Sequence, residues 1–140
     1  MGLVVEDLEA SKRFYGELLG MEEVPRPSSF TFGGAWFRAG RDEVHLILKS
    51  DTTQDDPPQA GGHGATSGLV THLAFEVDDF ARDLERLLAT GLEPVAGPLR
   101  RGDGVVQVYF ADPDGYVVEL FQATGEDQSG AVRASVRARA

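Results

Sequence analysis

The sequence predicts an α+β fold in which one unit of structure occurs twice. A shift of 72 positions lays residues 1–8 on residues 73–80, apolar on apolar at most sites and acidic on acidic just before a helical pattern. Both helical patterns stop at a glycine, Gly20 or Gly91. Both copies then close on short strand patterns, 44–48 and 118–121, related by a shift of 74.

In chain order, residues 1–5 form the first apolar strand, and Glu6 and Asp7 lead into a helix. That helix carries Leu8, Phe14, Tyr15, Leu18 and Leu19 near helical spacing, and Gly20 is placed for a left-handed C-terminal cap. Met21, Glu22, Glu23 and Val24 follow, and their counterparts Leu92, Glu93, Pro94 and Val95 stand 71 positions on, so one residue is lost between the copies. The strand 44–48 ends the first copy. Residues 51–68 are rich in Gly, Pro, Asp, Gln and Thr and lack apolar periodicity, which predicts a linker and makes His63 a solvated loop residue.

The second copy opens with the strand 72–77 and a helix bearing Phe80, Leu84, Leu87 and Leu88, and Gly91 ends it. Asp112, Pro113, Asp114 and Gly115 look like an acidic ion-binding cluster but have the residues of a tight turn between strands. The expected organisation is one domain over 1–124, with module one at 1–50, the linker at 51–68 and module two at 69–124. Residues 125–140, with Arg133, Arg137 and Arg139, form a flexible or partly helical tail.

Strand alternation selects the candidate site. If Leu73, Phe75 and Val77 pack under the helix, His72 faces the other way. By the same alternation Val118 and Leu120 cover the helix side, while Glu119 joins His72 on the opposite face. His45 is the counterpart of Glu119 under the shift of 74. An isolated strand histidine is ordinarily a surface residue, and this equivalence is what singles His45 out. A glutamate between Val117, Val118, Leu120 and Phe121 is costly to bury without a partner. Imidazole and carboxylate on one concave sheet face form a donor set for a divalent metal.

The segments Leu3-Val4-Val5-Glu6-Asp7-Leu8, Phe14-Tyr15 and Leu18-Leu19-Gly20-Met21 resemble the opening of vicinal oxygen chelate proteins. This superfamily includes glyoxalase I, bleomycin and fosfomycin resistance proteins, and extradiol dioxygenases. Thr71-His72-Leu73-Ala74-Phe75 and the run from Asp112 to Leu120 extend the resemblance through residue 122. It implies two tandem βαβββ modules forming a cupped mixed sheet around a central cavity. It also implies His45, His72 and Glu119 as ligands of a divalent ion such as Zn, Ni, Mn or Fe(II), with Glu119 catalytic. A fourth ligand is implied one residue before Met1, where the shift of 72 carries His72, and a late-assigned start codon is one explanation.

The activity implied is that of a metal-dependent lyase, isomerase or ring-cleaving dioxygenase, the metal chelating two neighbouring oxygens of a small molecule and stabilising the anion formed on them. Glyoxalase I takes a carboxylate ligand from each module, whereas the module-one position here is His45. In ring-cleaving enzymes the position of His45 is usually not a ligand. The alternative is a metal-free drug-binding resistance protein whose pocket is lined by Trp36, Phe37 and Phe121. A homodimer is implied by resemblance as well.

Composition narrows the partners. The 140 residues carry a formal net charge of −10, which opposes nucleic acid or an anionic membrane surface as partner. Cysteine is absent, so thiolate chemistry and disulfides are excluded. No secretory signal pattern or long apolar run is found, so cytoplasmic residence is the simplest expectation. Nucleophile-elbow, phosphate-loop and dinucleotide glycine patterns are lacking.

Overall fold

A computed structural model describes residues 1–51 and 72–124. Residues 52–68 of the expected linker, His63 among them, and the tail 125–140 lie outside the described residues.

Each module is a strand, a helix and three further strands. Module one runs β1 (Gly2–Val5), α1 (Leu8–Lys12), β2 (Glu22–Val24), β3 (Gly34–Ala39) and β4 (Asp42–Leu48). Module two runs β5 (His72–Glu76), α2 (Phe80–Ala89), β6 (Ala96–Arg100), β7 (Val105–Ala111) and β8 (Val117–Ala123). As expected of two βαβββ modules, each forms a four-stranded mixed sheet, ordered β1-β4-β3-β2 and β5-β8-β7-β6. In each, the first strand of the module lies parallel to the last and the remaining pairs are antiparallel.

The repeat is physical as well as sequential. Asp7 Oδ1 accepts from Ala10 N at 3.1 Å, and Asp79 Oδ1 accepts from Arg82 N at 3.1 Å, so both helices start on the same aspartate cap. Both stop where expected, with Gly20 at φ 77° and Gly91 at φ 92°. The helices differ in their course: α1 widens into a π-helical stretch over Arg13–Leu18 that buries Phe14 and Tyr15, whereas α2 is regular.

The helix-side faces share one core. Leu3, Val5, Phe37, Val44 and Leu46 of module one join Phe75, Val108, Phe110, Val118 and Leu120 of module two. The turn between β7 and β8 clasps the modules together. Asp114 accepts from Glu6 N at 3.0 Å and from Ser11 Oγ at 3.3 Å, while Tyr116 Oη donates to Val4 O at 3.1 Å. The buried Tyr15 hydroxyl donates to Asp112 Oδ2 at 2.7 Å. The expected turn at 112–115 is therefore also the junction. Among the described residues no helix is long and apolar enough to cross a membrane.

Candidate active site on the open sheet faces

Alternation along β5 and β8 puts Phe75, Val118 and Leu120 into the core and turns His72 and Glu119 to the open face. Register then brings the two together. His72 pairs with Val117 and Ala74 with Glu119 across the parallel ladder, so the long side chains meet on the diagonal. His72 Nε2 lies 2.7 Å from Glu119 Oε2, and Glu119 is only 5% exposed. The expected cost of burying this carboxylate is thus met by a charge-assisted hydrogen bond.

Tyr109 on β7 stands directly across from Glu119, and its ring meets that of His72 in a T-shaped contact, with centroids 5.3 Å apart. Burial, and next the Glu119 charge, push the Tyr109 phenol pKa up. Gln107 Nε2 donates to Tyr109 Oη at 3.1 Å, and Arg101 Nη1 donates to Gln107 Oε1 at 3.3 Å. A polar row therefore crosses this sheet from His72 to Arg101.

His45 also faces the open side, since Val44 and Leu46 beside it are buried. Its nearest described partners lie in its own module. The ring stacks on Trp36, with centroids 3.8 Å apart and planes 2° apart, and Nε2 lies 2.8 Å from Glu43 Oε2. Arg38 donates to Glu43 Oε1 through Nη2 at 2.6 Å and Nε at 3.2 Å. Hydrogen bonds from His45 and then Arg38 hold the Glu43 carboxyl below its ordinary range.

The three expected site residues are thus brought to one region but not into one cluster. A cavity of about 540 Å³ is lined by Met1, Glu43 and His45 of module one and His72 and Ala74 of module two, so both imidazoles border the same space. Among the described residues no group of three or more His, Asp or Glu side chains is placed to hold a metal ion. The donor chemistry of His72 and Glu119 fits two positions of a zinc-class ion. A third from His45 requires that imidazole to leave Glu43.

Glu43 is the residue that strand-counterpart reasoning missed. Its signal was its place two residues before His45, on the same face of the same strand. Trp36, expected as a pocket residue, does face the open side, whereas Phe37 is 2% exposed and belongs to the core.

Comparison with known proteins agrees with this architecture. The family model described as Glyoxalase/Bleomycin resistance protein/Dioxygenase superfamily matches residues 1–120. A lactoylglutathione lyase of Neisseria meningitidis is 33% identical, with 91% of each chain covered. The crystal structure of a lactoylglutathione lyase from Agrobacterium tumefaciens superposes with a TM-score of 0.64 at 27% identity, covering 87% of this chain and 90% of that one. An antibiotic binding protein from Streptomyces superposes with a TM-score of 0.60 at 28% identity, covering 88% and 92%.

Proposed function

Since the chain belongs to the Glyoxalase/Bleomycin resistance protein/Dioxygenase superfamily, we propose that it is a glyoxalase-type lyase or isomerase. Its substrate is a small molecule with two neighbouring oxygens, and its reaction moves a proton between adjacent carbons. The observation that carries this reading is the His72–Glu119 pair, a buried carboxylate held at 2.7 Å by an imidazole on the open face of module two.

Glu119 acts as the proton carrier. Its carboxylate takes the proton from the carbon beside a carbonyl and returns it to the carbonyl carbon, while the hydroxyl proton passes from its oxygen to the former carbonyl oxygen, so substrate and product are isomers and no redox partner is consumed. His72 holds the carboxylate in place. Burial of Glu119 limits the access of water to the proton it carries.

The superfamily generally works with divalent metals, and His72, Glu119 and, once released from Glu43, His45 are the residues that would hold one here. Such an ion would supply Lewis-acid polarisation of the two substrate oxygens. Homodimerisation and cytoplasmic residence belong to the same proposal, the former checked by sedimentation.

The test is turnover of the hemithioacetal of a 2-oxoaldehyde with glutathione, a compound whose isomerisation yields a lactoylglutathione-type thioester. Wild type converts it and Glu119→Gln does not; equal turnover by both refutes Glu119 as the carrier. A second reading, a metal-free binding protein for an aromatic drug, has support in the Trp36–His45 stack and in the likeness to an antibiotic binding protein. Saturable binding of an aromatic antibiotic, weakened by Trp36→Ala and without turnover of any 2-oxoaldehyde adduct, would favour it.

A further inference from the structure

The polar row on sheet two has a direction, and one residue sets it. Arg101 has only donors to offer, so the Gln107 atom facing it at 3.3 Å is the carbonyl oxygen. That fixes the flip of the amide, and its NH2 group faces Tyr109 and donates to the phenol oxygen at 3.1 Å. A phenol has one proton. With its oxygen already accepting, the Tyr109 proton is free to point onward, and the group directly across the ladder is the Glu119 carboxylate. The other end of that carboxylate meets His72 Nε2 at 2.7 Å.

We infer that Gln107 is a positioning residue that orients the hydrogen bonds of this row, so that the Tyr109 hydroxyl donates to Glu119 and holds its carboxylate in a single orientation. Gln107 is 7% exposed, and Arg101 is itself anchored by both oxygens of Asp103, so the chain of donors starts from a fixed point. Chains of hydrogen bonds aligned in one sense strengthen one another in a low dielectric, which gives a residue two steps from the carboxylate its influence. In its kinetic consequence the inference rests on Glu119 as the proton carrier; the direction of the Arg101–Gln107–Tyr109 hydrogen bonds rests on geometry, and the step onward to Glu119 on its place directly across the ladder from Tyr109.

The variant that separates direction from packing is Gln107→Glu. It keeps the shape and the Arg101 partner but offers only acceptors, so the Tyr109 proton turns away from Glu119 toward residue 107. The expected result is a fall in kcat of about 10- to 100-fold with KM and melting temperature nearly unchanged. Tyr109→Phe reproduces that fall, and the double variant adds nothing to it. Gln107→Met removes the hydrogen bond without reversing it or adding charge, and its loss is smaller. If Gln107→Glu keeps full kcat while Tyr109→Phe loses it, or if kcat falls only in step with stability, the inference is overturned.

A measurement independent of turnover is the carbon-13 resonance of the Tyr109 ring carbon bearing the hydroxyl. It responds to Glu119→Gln and to Gln107→Glu if the phenol donates to the carboxylate. Indifference to Glu119→Gln refutes the direction even in a protein with no measurable turnover, and a response there upholds it even if the proposed reaction fails.

Discussion

Glu119 combines two demands that conflict in water, a negative charge and near-complete burial. The His72 contact at 2.7 Å reconciles them. Replacing Glu119 by Gln leaves the volume intact and removes the base, so kcat should fall by about 10²- to 10⁴-fold while the protein stays folded. Tyr15 and Asp112 present a buried pair with a structural task. Tyr15→Phe leaves Asp112 Oδ2 without that donor and should cost about 1–3 kcal/mol in denaturant unfolding. Burial raises the Asp112 pKa above its ordinary value, an effect that the Tyr15 hydrogen bond only partly offsets. The folded state therefore holds this proton to higher pH than the unfolded chain does. The resulting stability is fully present below the unfolded pKa and is lost as pH rises through the raised folded value. Asp112→Asn should flatten that part of the stability–pH profile, and an unchanged slope would contradict the assignment.

At the scale of elements, the sequence was most legible where local chemistry decides the outcome. Asp7 and Asp79 cap their helices because each is a short acceptor at the end of a strand, and Gly20 and Gly91 end them because a left-handed residue is needed there. The faces of β5 and β8 were legible because alternation with Phe75, Val118 and Leu120 left no choice. The partner of His45 was not legible, because the shift of 74 relates strands in different modules whereas the contact is made within one strand, to Glu43. One four-stranded mixed sheet per module agrees with the expected pair of βαβββ units, while the register within each sheet is something a repeat in sequence does not specify. Close approach imposes a further demand on β3. A Cβ added at Gly34 would lie 2.2 Å from Leu46 O, so Gly34→Ala must push apart the ladder that carries His45. It should destabilise by about 1–3 kcal/mol in thermal or denaturant melts.

Over the whole molecule, the two modules are joined through the turn after β7, where Asp112, Asp114 and Tyr116 all reach into module one. Asp114→Ala removes acceptors from Glu6 N and Ser11 Oγ. It should speed amide exchange at residues 4–6 before it changes exchange in α2, and uniform acceleration would show that the clasp is not local. His45 and His72, one from each module, line one cavity of about 540 Å³. In the function proposed above, the working centre of this cavity is His72 with Glu119, joined by His45 when a divalent ion binds. The most direct measurement is the amount of zinc, nickel, manganese or ferrous iron retained per chain after loading and dialysis, for wild type and for His72→Ala, Glu119→Gln and His45→Ala. The account predicts near-stoichiometric metal in wild type, loss in the first two variants and weaker retention in the third. Metal retained equally by His72→Ala and Glu119→Gln would contradict it.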